Sequence, residues 1–253
     1  MLAITGITGR VGSIVARTLL SAKEPVRAVV RDAGKGAPWL ERGCELALAE
    51  MNDAAALAAA FEGAEGVFVL PPPIFDPEPG FPEARATANA VRSALEATHP
   101  SKVVCISTIG AQATRPNLLT QLRLMEQALG GLGIPITFLR PAWFMENAAW
   151  DVASARNTGV ISSFLQPLDK PFPMVASADV GRTAAPGDMD RPPNLRIGRA
   201  TPREPERYCG RILQNSWPSS PHRSCPSRIL GGSIQVAGHE EPGTTRPDAR
   251  WLQ

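Results

Sequence analysis

Residues 3–20 read AITGITGRVGSIVARTLL, and three glycines, Gly6, Gly9 and Gly12, punctuate the passage from a short apolar run into a segment with helical spacing. A strand that runs through such a turn into a helix offers a pyrophosphate what it needs: a tight reversal, a backbone bare enough to approach, and unpaired amides at a helix N-terminus. Gly6 allows the turn, Gly9 the close approach and Gly12 the packing of helix against sheet, with Thr8, Arg10 and Val11 completing the turn. The spacing points to dinucleotide binding, against the alternative of a structural turn that binds nothing.

Which dinucleotide depends on the end of the second strand, where an acid favours a free ribose 2′-hydroxyl and a cation favours a 2′-phosphate. Residues 29–36, VVRDAGKG, supply both. Arg31 comes first and Lys35 one turn later, so a guanidinium and an ammonium can converge on the phosphate while Asp32 points elsewhere. The reading is NADPH over NADH. Its rival makes Arg31 a solvated strand-end residue.

Carbonyl reduction with a protein acid can use a tyrosine and a lysine four residues later to lower its pKa. The chain's one tyrosine is Tyr208, and where the pair would lie the sequence reads NLLTQLRLMEQAL (117–129), with Leu118 and Leu122 at the corresponding positions. No catalytic residue is therefore assigned. Hydride transfer to an acceptor that needs no strong protein acid remains open, the cofactor carrying the chemistry and the protein aligning the reactants. Trp143, Phe144 and Met145 in PAWFMEN (141–147) offer stacking surface and Asn147 a polar handle for such an acceptor, with plain core packing as the alternative. Glu126 is read as the ion-pair partner of Arg123 (i, i+3), and Asp179 as a helix N-cap. His99, His222 and His239 have no partner at metal or triad spacing, and no metal is expected.

The elements that must position these residues follow from periodicity. Apolar runs at 2–5, 26–30, 44–49, 66–70, 102–107 and 135–139 are short, largely β-branched or aromatic, and alternate with helix-like segments. Val11, Ile14, Val15 and Leu19 share one helical face; Asn52 or Asp53 is the N-cap of a helix that Gly63 stops; 83–97 and 117–129 are further helices. Repeated βα units with right-handed crossovers imply an α/β fold, a doubly wound parallel sheet of Rossmann type.

The chain has 253 residues, 43% of them hydrophobic, enough for a substantial core. No window approaches a membrane span, the N-terminus enters a strand without a signal-like region, and the four cysteines lack disulfide or zinc spacing, so a cytoplasmic protein is expected. The net charge of +2 divides unevenly: residues 1–185 hold 16 Lys and Arg against 17 Asp and Glu, and 186–253 hold 10 against 7. After Ala185, ten prolines and ten arginines fall in 68 residues and apolar periodicity lapses. The domain reading is 1–185 for the dinucleotide-binding part with some of the substrate pocket, and 186–253 for an irregular Pro/Arg-rich tail, either natural disorder or a frameshift product. Plausible codons for 227–242, read one nucleotide later, spell RESWEALFKSQGMKN, and those for 203–213 spell VSPNDIAAAF, both helix-like. The tail's arginines lack the helical or aromatic organisation of a nucleic-acid surface.

These motifs together resemble the NmrA-like branch of the atypical short-chain dehydrogenase/reductase family, which includes triphenylmethane and quinone reductases. The resemblance spans about 1–185 and rests on ITGITGRVG, VRAVVRDAGKG, GVFVLPPP, VVCISTIGAQ, GIPITFLRPAWFMEN and MVASADVGRTAA in family order. It implies that Arg31 and Lys35 face the 2′-phosphate of NADP. It also implies that Leu70, Pro71 and Pro72 after the fourth strand, and Ser107 and Thr108 after the fifth, line the rest of the cofactor. The chain departs from the family where an aspartate usually follows the third strand, here Glu50 and Met51, and after Ala185. Two functions are implied: an NAD(P)H-dependent reductase of a small aromatic acceptor, or a non-catalytic NAD(P)-sensing module that binds a protein partner. A homodimer is compatible with either.

Overall fold

The computed structural model describes residues 1–163, 165 and 171–185, together with short strand segments at 196–197, 229–230 and 233–235. Tyr208, Cys209, Cys225, His222 and His239 lie outside the described residues, as do most of the two stretches with helix-like shifted reading frames. The chain divides into two compact units, Met1–Ala142 with Ser177–Ile197, and Trp143–Ala176 with the strand segments beyond Gly198.

In the first unit every apolar run anticipated as a strand is one: β1 (Leu2–Thr5), β2 (Val26–Val30), β3 (Glu45–Leu48), β4 (Gly66–Val69), β5 (Lys102–Ile106) and β6 (Ile136–Pro141). All pair in parallel, with Ala3 opposite Arg27 on one side and Val67 on the other. A further strand, β10 (Arg196–Ile197), pairs in parallel with Arg140 and Pro141. The order is β10-β6-β5-β4-β1-β2-β3, so the winding reverses between β1 and β4. In an open α/β sheet that reversal opens a crevice at the strands' carboxyl ends. The edge beyond β6 carries β10.

Helices cover the sheet as the apolar spacing requires. On one face, α3 (Ala54–Phe61), α4 (Pro82–Thr98) and α5 (Thr120–Leu129) pack side by side over Ala3, Val29, Val67, Val69, Val103 and Cys105, alternate residues of their strands. Leu57, Phe61, Leu95 and Leu129 are fully buried there, each worth about 2 kcal/mol by removal from water. Asp53 caps α3 by accepting from the Ala55 and Ala56 amides, both at 3.0 Å, and Gly63 turns the chain away with φ +68°. Helix α4 starts on Pro82, whose missing N–H costs nothing there. Helix α5 starts three residues later than its apolar pattern, because the Asn117 side chain takes the Leu119 amide at 2.8 Å and holds the chain in a turn. On the other face lie α1 (Arg10–Ser21) and α7 (Ser177–Ala184), which approach closely: a methyl on Gly181 would meet Ile14 Cβ at 2.6 Å.

One helix of the first unit has no counterpart in the sequence reading. Residues Ala33–Leu40 form α2 although they contain Gly34, Gly36 and Pro38. Asp32 caps it, Trp39 is buried, and Gly36 packs where a Cβ would lie 2.4 Å from Leu46 Cδ1.

In the second unit β7 (Trp143–Phe144) pairs in parallel with β9 (Met174–Val175), and a 3-10 turn (Met145–Asn147) leads into α6 (Ala148–Thr158). Strand β8 (Val160–Ser162) pairs antiparallel with β12 (Ser233–Gln235), which also pairs with β11 (Ile229–Leu230). Ala155 and Ile161 form its small core with Ala148 and Val152. No helix of the described residues is long and apolar enough to cross a membrane.

Candidate dinucleotide site

The three glycines occupy the switch point, each for a separate steric reason. Gly6, directly after β1, has φ +64°, a conformation that L side chains rarely adopt. A Cβ there would also sit 2.8 Å from Leu70 Cδ2. The Gly9 amide donates to the Gly6 carbonyl at 2.9 Å, closing the turn, and Gly9 is the N-cap of α1. At Gly12 a Cβ would lie 2.3 Å from the Gly6 carbonyl oxygen and 2.7 Å from its carbon, so only glycine lets the helix begin so close to the turn. Thr8 and Arg10 are exposed, Val11 and Gly12 buried.

No side chain caps α1, and its first turn holds no acid, whereas α2 and α3 each have an aspartate cap. The first amides of a helix have no intrahelical acceptor, and the helix dipole adds partial positive charge there. An uncapped N-terminus behind a glycine turn is thus a fitting seat for a diphosphate, and the crowding at Gly12 shows how closely the helix starts behind that turn.

Thr5 is a residue that sequence reasoning passed over. Its hydroxyl is buried, donates to the Phe68 carbonyl at 3.2 Å and accepts from the Leu70 amide at 2.8 Å, so it ties the end of β1 to the end of β4. Leu70, Pro71 and Pro72, half-buried, leave the sheet from that tie. A threonine at the end of an apolar strand, just before the glycines, was the available signal.

At the end of β2, Asp32 is exposed but engaged with backbone amides. Its Oδ1 accepts from the Gly34 amide at 2.7 Å and from the Lys35 amide at 3.4 Å, satisfying the N-terminus of α2. Arg31 is the residue that projects: its side chain is 66% exposed, with Nε 4.0 Å from a carboxylate oxygen of Glu50. Lys35 is exposed one turn on.

At the end of β5 the arrangement is less simple than the motif implied. Ser107 is 2% exposed; its amide donates to the Leu139 carbonyl at 2.7 Å and its hydroxyl to Glu126 Oε1 at 2.5 Å. Glu126 in turn receives both arms of Arg140, Nε on Oε1 at 2.8 Å and a terminal nitrogen on Oε2. The expected pairing of Glu126 with Arg123 is therefore corrected. Arg123 donates to the Ala113 carbonyl at 2.9 Å, while Glu126 lies on the sheet side of α5, where the rigid fork of Arg140 binds it bidentately. That hydrogen bonding holds the Arg140 guanidinium above its usual pKa. Burial, with the Glu126 charge adding to it, raises the Cys105 thiol far above the ordinary cysteine range. The Thr108 carbonyl accepts from the Ala111 amide at 3.1 Å.

The second unit holds the residues read as an acceptor surface. Trp143 and Phe144 form β7, and Met145 and Asn147 lie in the 3-10 turn, all half-buried. Among the described residues, Trp143 Nε1 is a buried polar side-chain atom with no hydrogen-bond partner. Asp179 is not an N-cap: α7 already begins at Ser177, so Asp179 sits in the first turn, where its carboxylate takes Arg182 at 2.6 Å. No group of three or more His, Cys, Asp or Glu among the described residues could hold a metal ion.

A family model described as NAD(P)H-binding matches residues 6–184. The NAD(P)H azoreductase of Xenophilus azovorans is 31% identical over 66% of this chain and 56% of its own length. The chain spans only 54–61% of the length of that enzyme and two further curated relatives. Two solved structures share the fold. The NADPH complex of the Escherichia coli NADPH-dependent quinone oxidoreductase has a TM-score of 0.67 at 21% identity, over 85% of this chain and 75% of the other. The Citrobacter sp. triphenylmethane reductase complexed with NADP(H) has a TM-score of 0.64 at 18% identity, over 84% and 75%. Glycine turn, switch-point crevice and these likenesses agree: the chain belongs to the NAD(P)H-binding family.

Proposed function

We propose that the protein is an NADPH-dependent reductase that passes hydride to a small aromatic acceptor, a quinone or an azo or triphenylmethane dye, without a tyrosine–lysine acid pair. The observation that carries this reading is the make-up of the segment entering α5. Where an acid and its lysine would be needed for carbonyl reduction, Leu118 and Leu122 stand instead, which favours an acceptor that takes hydride without a proton from the protein. Bound NADPH supplies the hydride.

The chain's own residues would do the rest. The amides behind Gly6–Gly12 hold the diphosphate, with Thr8, Arg10 and Val11 around them. Arg31 and Lys35 receive the 2′-phosphate, a role that the engagement of Asp32 with α2 favours, because the acid that would select a free ribose hydroxyl is already committed. Leu70, Pro71, Pro72, Ser107 and Thr108 line the remaining length. Trp143, Phe144 and Met145 supply stacking surface and Asn147 a polar contact. The buried, acceptorless indole N–H of Trp143 supports this, since a quinone oxygen or azo nitrogen would satisfy it. The activities of the azoreductase and quinone oxidoreductase relatives point the same way.

The missing acid pair equally suits a dinucleotide-sensing module that binds a protein partner without turnover. NADPH consumption with a panel of quinones and dyes separates the two. Oxidation above the enzyme-free rate is expected, and cofactor binding with no oxidation across the panel favours the sensor.

A further inference from the structure

Beside the cofactor crevice one amide side chain braces two loops. Gln121 in α5 donates from Nε2 to the Ile74 carbonyl at 2.7 Å and the Leu118 carbonyl at 2.9 Å, and its Oε1 accepts from the Ile74 amide at 3.2 Å. The residue following each tied position is a large exposed apolar one: Phe75, 66% exposed, and Leu119, 40% exposed. Leu119 is fixed further by its amide on Asn117, and its Cδ1 occupies the space that a Cβ on Gly110 would need, at 2.6 Å. Segments following β4 and β5 and the segment entering α5 thus converge at the carboxyl end of the sheet.

Single exposed apolar side chains are ordinary, but here the residue before each one is pinned to the same amide, which fixes the course of both loops. The other large exposed apolar residues described in the first unit are Leu40 on α2 and Leu48 on β3. A protein partner needs roughly 800 Å² per side, far more than two side chains supply, whereas a single planar ring system matches them.

We propose that Phe75 and Leu119 form the apolar seat of the aromatic acceptor, with Gln121 as the positioning residue that holds it open. The proposal rests on the reductase reading above for the kind of ligand. It also gives the segment that has lost the acid pair a second use, as a wall for an acceptor that does not need one.

The test is the affinity of the full-length chain, in the presence of NADP+, for 1,4-naphthoquinone, measured by ligand-observed NMR on wild type, Phe75→Ala, Phe75→Tyr, Leu119→Ala and Gln121→Ala. Phe75→Ala is expected to weaken binding about tenfold, with Phe75→Tyr close to wild type. Leu119→Ala and Gln121→Ala are each expected to weaken it about threefold or more, while NADP+ affinity stays unchanged in all four. Unchanged naphthoquinone affinity in the alanine variants, or no binding by the wild type, overturns the proposal. So does a Phe75→Ala change that alters only self-association in sedimentation. If naphthoquinone binds and depends on Phe75 yet NADPH is never oxidised, the seat stands and the reductase reading falls.

Discussion

The Thr5 hydroxyl sits between two strands, accepting from the Leu70 amide at 2.8 Å while donating to the Phe68 carbonyl at 3.2 Å, and so locks the glycine turn to the loop across the switch point. Thr5→Val keeps the shape and deletes both bonds, leaving a part-buried Leu70 N–H without its acceptor. The expected cost is about 1–3 kcal/mol in urea melts, with weakened NADPH binding and recovery in Thr5→Ser. A Thr5→Val protein as stable as wild type contradicts the tie.

Gly12→Ala places a methyl 2.3 Å from the Gly6 carbonyl oxygen, and the contact is backbone on both sides. The turn must shift, so a loss of roughly 1–3 kcal/mol is expected, together with a fall in NADPH affinity of about tenfold or more. Gly63→Ala is the control. Its φ of +68° brings a strain that Gly12 lacks, but a methyl there meets nothing within 4 Å, so the change should cost only about 1–2 kcal/mol and leave cofactor affinity alone.

The Glu126–Arg140 pair is largely screened from solvent, so Glu126→Gln strands a guanidinium that is 15% exposed and is expected to destabilise by about 3 kcal/mol. Replacing both partners, Glu126→Leu with Arg140→Met, removes the unpaired charge and should recover part of that loss. A double-mutant cycle should show coupling of about 1–3 kcal/mol, and additive single effects would rule the pair out as an energetic unit.

Cys105 gives an alkaline prediction. Its thiol pKa is raised in the folded state, so its contribution to stability is intact below the unfolded thiol value of about 8.5 and is lost as pH climbs above it, where the unfolded chain ionises and the folded one does not. Cys105→Ala should flatten the decline in unfolding free energy above that pH. Iodoacetamide should leave Cys105 untouched until the protein is unfolded, and rapid labelling of native protein is the opposing result.

The strands were legible because their apolar runs were bounded by turn residues, and α3 because Asp53 and Gly63 bracket an alanine-rich segment. Helix α2 was hidden: Gly34, Gly36 and Pro38 read locally as a loop, and what holds it helical is the Asp32 cap and the packing of Gly36 on Leu46, a contact made across the fold. The partner of Glu126 was missed for a related reason. Helical periodicity offers Arg123, but Arg140 arrives from β6 only after the sheet has formed. Helix α6 was not anticipated, its residues showing no apolar stripe. Of the site, the glycine turn and Arg31 could be read from spacing, while the Thr5 tie and the commitment of Asp32 to α2 needed coordinates.

The proposed function requires a diphosphate cradled at Gly6–Gly12 and a 2′-phosphate received by Arg31. Calorimetric titration of wild type and Arg31→Ala with NADPH and NADH tests both at once. Wild type is expected to prefer NADPH by about tenfold or more, and Arg31→Ala to lose that preference by weakening NADPH while leaving NADH unchanged. No heat with either dinucleotide, or a preference for NADH that survives the substitution, would contradict it.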